Sequence, residues 1–156
     1  MQPIRRPISE AFQGLKETVS VFALLADLAA FVDSLNVPVL LHCDGQINAY
    51  LPDLAQTKLA SLHPLQRTAG MDLGWVKQNY GHRFCLIGNI DSSRTLPYGT
   101  LAEVAAEVKE AIDIAAPGGG YVLASDHSLH DGIPVENAVE LFRVGREYGG
   151  AFYCNK

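Results

Sequence analysis

Four short apolar runs are spaced along the chain, and longer segments with helical periodicity separate them. The runs are VPVLLH (37–42), LASLH (59–63), RFCLIGNI (83–90) and YVLAS (121–125). None of them alternates cleanly between apolar and polar residues, which is typical of strands buried on both faces of a parallel sheet. We therefore predict four parallel strands.

Helices are predicted at about 16–35, 50–57, 69–81, 100–116 and 133–149. The fourth has the clearest signals, because Thr100 and Glu103 form a capping box and Pro117 with Gly118 ends the helix. The glycines of PGGGY (117–121) run from a helix into a strand. A phosphate loop runs from a strand into a helix, so we interpret these glycines as a helix stop and turn.

The alternation of strand and helix predicts one α/β domain over residues 1–156, with right-handed crossovers. A net charge of −5 and the lack of a basic block argue against nucleic acid as a partner. The longest apolar run, 19–32, contains Asp27 and is too short to cross a membrane. Three cysteines without CxxC spacing indicate no disulfide framework, and a cytoplasmic location is expected.

Polar residues gather where the predicted strands end. In parallel α/β folds, reactive groups collect at this edge of the sheet. Four of the five histidines lie there. The candidates are His42, Cys43 and Asp44 after the first strand, His63 and Gln66 after the second, Asn89 and Asp91 at the third, and Ser125, Asp126, His127, His130 and Asp131 at the fourth.

Each cluster has two interpretations. His42 and Asp44 project to the same side of an extended strand and could share a metal ion, with Cys43 facing the other way. Alternatively, Asp44 and Gly45 form an ordinary turn, with Asp44 capping the next helix. Asp126 beside His127 suits acid/base chemistry, or the two form a structural pair.

The polar residues at the ends of the second and third strands also have a functional and a structural interpretation. Asn89 and Asp91 either contact a substrate or form an Asx turn. His63 either faces a substrate or is satisfied by the backbone.

The ordered segments LHCDG, HPLQRTAGMDLGWVKQNYGHRFCLIGNID, LPYGTLAEVAAEVKEAI and APGGGYVLASDHSLHDGIPVEN resemble the uroporphyrinogen decarboxylase superfamily. That superfamily also includes zinc-dependent methyltransferases that act with corrinoid proteins. The resemblance covers residues 37–148, and residues 1–36 match poorly.

The resemblance implies the C-terminal half of a (β/α)8 TIM-type barrel, with about four parallel βα units preceded by an apolar helix. Four strands alone cannot close a barrel and would leave two open sheet edges. We therefore expect that the chain is a fragment, or that its partner is a second copy of the chain or a separate N-terminal half-barrel chain.

The decarboxylase resemblance implies a lyase that acts on a tetrapyrrole or a related carboxylated small molecule without a metal or cofactor. His127 falls on a substrate-facing histidine of that family, with Asp126 as its acid/base partner. Asn89 and Asp91 fall on residues that line the cleft, and we expect His63 and Gln66 to bind substrate as well.

The methyltransferase resemblance implies a different chemistry for the same positions. His42 matches a zinc-binding histidine, Asp44 stands where those enzymes have a cysteine, and His127 falls near a later cysteine. This alternative predicts Zn²⁺ or Fe²⁺ held by His42, Asp44 and His127. A further alternative is a non-catalytic half-barrel that binds a partner.

Overall fold

The computed structural model describes residues 21–154, which contain one sheet of four parallel strands in the order β1-β2-β3-β4. The strands are β1 (Val39–His42), β2 (Leu59–His63), β3 (Cys85–Ile90) and β4 (Tyr121–Ser125). Each ends at its predicted residue. The α/β class with parallel strands is therefore confirmed.

Six α-helices accompany the strands in the described part of the chain. They are α1 (Val21–Ser34), α2 (Leu51–Leu54), α3 (Leu73–Tyr80), α4 (Thr95–Tyr98), α5 (Leu101–Ala115) and α6 (Val135–Cys154). Residues 16–20 of the first predicted helix lie outside the described residues. The predictions around α2 and α3 were too long. Helix α2 already ends at Leu54, and α3 begins only at Leu73, after the left-handed Gly70 and the N-cap residue Asp72.

Helix α4 was not predicted from the sequence. The carboxylate of Asp91 accepts the backbone N–H groups of Ser93 and Arg94, at 2.7 and 2.9 Å, just before this helix begins. The bonds form an Asx-type turn at the end of β3. A helix of four residues is too short to show a periodic pattern, which is why no pattern in the sequence predicted it.

The capping box predicted for α5 is present. The Thr100 hydroxyl accepts the Glu103 N–H at 3.3 Å, and the Glu103 carboxylate accepts the Thr100 N–H at 2.7 Å. At the other end, Gly118, Gly119 and Gly120 all have positive φ angles, of 76°, 81° and 69°. The glycine run is thus a helix stop and turn, as predicted.

We expect Thr100→Ala to lower the free energy of unfolding by about 0.5–2 kcal/mol, because it removes the acceptor for one N–H at the start of α5. Chemical denaturation of the two proteins measures this difference. Thr68→Ala is the control, since Thr68 is exposed and lies in a 3-10 turn. An equal loss in both variants would contradict the capping role.

The core lies between the sheet and the helices that pack on it. Leu62 of β2, Leu86 of β3 and Val108 of α5 are all fully buried members of one apolar cluster. Helices α5 and α6 pack against each other and α5 also contacts β3 and β4. This packing fixes the carboxyl ends of the strands relative to one another.

Several large apolar side chains remain exposed at the margins of the described fold. Leu40 on β1 and Val122 on β4 lie on the two edge strands, and Val139 and Phe142 lie on α6. Exposed apolar side chains of this kind are common at contact surfaces between proteins, so self-association, or pairing with a separate half-barrel chain, stays a prediction. Among the described helices, none has the length and apolar character needed to cross a membrane.

Candidate metal centre

Two histidines meet at the carboxyl ends of neighbouring strands. His42 ends β1 and His63 ends β2, and the parallel register pairs them directly. Their Nδ1 atoms lie 2.7 Å apart, within hydrogen-bonding distance, and the ring centroids are 4.8 Å apart. The other ring nitrogen of His63, Nε2, lies 3.3 Å from the backbone carbonyl oxygen of Ser125, which ends β4.

Asp44 joins this pair to His127. The Asp44 Oδ1 atom lies 2.7 Å from His42 Nε2 and 3.8 Å from His127 Nδ1. The potential ligand atoms of the three residues all lie within 4.8 Å of one another. The side chains of His42, Asp44 and His127 are 47%, 58% and 32% exposed, respectively, so the cluster is open to small molecules. Cys43 packs against the core, consistent with its predicted orientation.

The surroundings of His63 lower the pKa of its imidazole. Partial burial lowers its pKa, the hydrogen bond with the Ser125 carbonyl acts in the opposite direction, and the charges of His42 and His127 add to the lowering. His63 therefore favours its neutral form at neutral pH. The bond with the Ser125 carbonyl agrees with the interpretation of His63 as a histidine satisfied by the backbone, whereas its contact with His42 was not predicted.

Asp126 supports the loop that carries His127. It is 1% exposed, and its carboxylate accepts the backbone N–H of Ser92 at 2.9 Å. The Ser125 hydroxyl donates to the carbonyl of His127 at 2.6 Å. These bonds tie the end of β4 to the turn after β3, while an acid/base role for Asp126 and His127 stays a prediction.

The other predicted substrate residues have their own hydrogen bonds. Asn89 is fully buried, and its amide donates to the Leu65 carbonyl at 3.0 Å. Asp91 forms the Asx turn described above, and the backbone carbonyl of Gln66 accepts the N–H of Ala69 at 3.1 Å. Within the described residues, none of the three hydrogen-bonds to the histidine cluster, and their substrate contacts stay predictions.

The cluster of His42, Asp44 and His127 fits a divalent metal ion by the chemistry of its donor atoms. Two imidazole nitrogens and a carboxylate oxygen are donors that Zn²⁺ and Fe²⁺ accept. Ligands about 2.0–2.1 Å from a tetrahedral zinc lie about 3.3 Å from each other. The observed 2.7 and 3.8 Å separations lie on either side of this value, and a separation near the 4.8 Å limit of the cluster would have to shorten when an ion binds.

Comparison with known proteins shows the family. The model of the family "Uroporphyrinogen decarboxylase (URO-D)" matches residues 17–148. The match includes all four strands and their connecting helices. The chain belongs to the uroporphyrinogen decarboxylase family.

Individual relatives carry two different names. The chain is 33% identical over 125 residues to the methylcobamide:CoM methyltransferase MtaA of Methanosarcina barkeri, a match that covers 80% of this chain and 35% of that protein. It is 30% identical over 83 residues to a uroporphyrinogen decarboxylase of Actinobacillus succinogenes, covering 53% and 23% respectively.

A solved structure is similar as well. A methyltransferase from Methanosarcina mazei superimposes with a TM-score of 0.67 at 30% identity, covering 81% of this chain and 36% of that one. The chain thus spans little more than a third of the length of these methyltransferases. The four strands and their helices are consistent with part of a TIM-type barrel.

Proposed function

We propose that this chain carries the metal-binding part of a methyltransferase related to the corrinoid-dependent enzymes, with Zn²⁺ or Fe²⁺ held by His42, Asp44 and His127. The observation that carries the proposal is the grouping of these three ligand atoms within 4.8 Å at the ends of two separate strands. The methyltransferase matches, which extend over at least 80% of the chain, support the same chemistry.

A divalent ion at this position would act as a Lewis acid that lowers the pKa of a bound thiol or water. The chain's own residues supply one negative charge and two neutral nitrogen donors, so the site keeps a net positive charge when the ion is bound. That charge favours an anionic thiolate. The exposure of all three side chains leaves room for a substrate to approach.

The reaction class is transfer of a methyl group from cobalt to a thiolate. The methylated corrinoid would be a substrate: its cobalt–carbon bond would break with both bonding electrons staying on the cobalt, a carbon–sulfur bond would form, and the thiol proton would pass to solvent. The replacement of a cysteine ligand by Asp44 gives a ligand set with less electron donation than thiolates provide. We therefore expect slower transfer to thiols than a cysteine-ligated site would support.

The test is demethylation of methylcobalamin with coenzyme M as the thiol. The loss of the absorption band of the cobalt–carbon bond measures the rate. We expect activity after reconstitution with Zn²⁺ or Fe²⁺ and none in a matched Asp44→Asn sample, because the amide removes the negative ligand. Equal rates with wild type, with Asp44→Asn and without protein would contradict the proposal.

Decarboxylation of a carboxylated tetrapyrrole is the second candidate, favoured by the match to the decarboxylase of Actinobacillus succinogenes. In this alternative His127 faces the substrate and no metal is needed. Arg67, which follows β2, is already paired with Glu110 at 3.1 Å and offers less to a substrate carboxylate. Decarboxylation by protein treated with a chelator would favour this candidate over methyl transfer.

A further inference from the structure

His63 connects the proposed metal ligand His42 to the backbone at the end of β4. The Ser125 carbonyl oxygen can only accept a hydrogen bond, so the His63 Nε2 atom, 3.3 Å away, must carry a hydrogen. In a neutral imidazole the remaining nitrogen then has a free lone pair. The Nδ1 atom of His63 is therefore the acceptor in its 2.7 Å contact with His42.

This assignment determines which nitrogen of His42 is free to bind a cation. If His42 Nδ1 donates its hydrogen to His63, then the Nε2 atom of a neutral His42 carries the lone pair. That atom lies 2.7 Å from Asp44 Oδ1, which also carries lone pairs. Two such atoms attract each other only when a proton, on either residue, or a metal ion shared by both lies between them.

We infer that His63 is a positioning residue, which fixes the tautomer and ring orientation of His42. It does so through two consecutive hydrogen bonds, from His42 to His63 and from His63 to the Ser125 carbonyl. The inference rests on the proposed metal site and adds to it a residue that hydrogen-bonds to a metal ligand without binding the metal itself. Histidine ligands commonly donate their second N–H to a fixed acceptor, and loss of such an acceptor weakens metal binding by about 10–100-fold. The acceptor in this chain is another imidazole, itself oriented by a carbonyl.

The first test is Co²⁺ and Zn²⁺ titration of metal-stripped protein. We expect His63→Leu, which removes donor and acceptor together, to weaken binding by about 10–100-fold. His63→Gln keeps both kinds of group and should recover most of the affinity. His82→Leu is the control, because His82 is exposed and precedes β3, at the end of the strand away from the cluster.

The second test needs no variant and no metal. Imidazole ¹⁵N spectra of the metal-stripped wild type at mildly alkaline pH should show His42 protonated at Nδ1 and His63 protonated at Nε2. A His42 ring protonated at Nε2 alone would overturn the inference.

The outcomes separate the inference from the proposed function. Wild type that binds neither ion contradicts the metal site itself. Wild type that binds tightly, with His63→Leu binding equally well, overturns only the role of His63. Weak binding by His63→Leu together with recovery in His63→Gln supports both.

Discussion

His42→Ala is expected to abolish stabilisation of the protein by Zn²⁺. Free Zn²⁺ at 100 times its dissociation constant should stabilise metal-stripped wild type by about 2.7 kcal/mol, since the ion binds the folded state. His42 contributes one of three ligand atoms. Its loss should therefore weaken Zn²⁺ binding more than the loss of a residue that only hydrogen-bonds to a ligand, which typically costs about 10–100-fold. Thermal unfolding with and without Zn²⁺ measures the effect.

His82→Ala is the matched control for this experiment, because it removes an exposed histidine that precedes β3. It should keep the full Zn²⁺-dependent rise in melting temperature. If His42→Ala and His82→Ala respond to Zn²⁺ alike, the ion binds somewhere other than the cluster of His42, Asp44 and His127.

Gly88→Ala should be the most damaging single methyl addition in the described sheet. Gly88 lies in β3 with φ at 129°, a conformation that residues with a Cβ rarely adopt. An added Cβ would lie 2.3 Å from the backbone carbonyl oxygen of Pro64, whereas a carbon and an oxygen in contact need about 3.3 Å. We expect a loss of at least about 3 kcal/mol in the free energy of unfolding.

Gly118→Ala separates the two causes of that loss. Gly118 also has a positive φ, of 76°, but an added Cβ would meet no heavy atom within 4 Å. Its substitution should cost about 1–2 kcal/mol from backbone conformation alone. Urea denaturation of both variants gives the comparison, and a cost for Gly88→Ala no greater than for Gly118→Ala would show that Pro64 moves aside easily.

The sequence predicted the strands well because their apolar runs are short and bounded by polar or glycine-rich segments. All four end where predicted, at His42, His63, Ile90 and Ser125. The capping box at Thr100 was also predicted from the sequence, since it depends on two residues at a fixed spacing. The 3-10 turns and helix α4 depend on local side-chain bonds such as those of Asp91, which leave no periodic pattern.

The grouping of His42, Asp44 and His127 was also foreseen, from the rule that reactive groups collect at strand ends and from the family resemblance. The contact between His63 and His42 was not. A signal for it existed, because each histidine is the last residue of its strand and parallel neighbours in register bring such residues together. The bond from His63 to the Ser125 carbonyl joins β2 and β4, which are not neighbours in the sheet, so the register of paired strands does not predict it.

Metal analysis of protein purified without a histidine tag tests the central claim most directly. We predict about one equivalent of zinc or iron per chain in wild type, since a single cluster supplies the ligands. His42→Ala purified in parallel should carry none. Metal-free wild type that also fails to take up Zn²⁺ or Fe²⁺ when either ion is supplied would contradict the account.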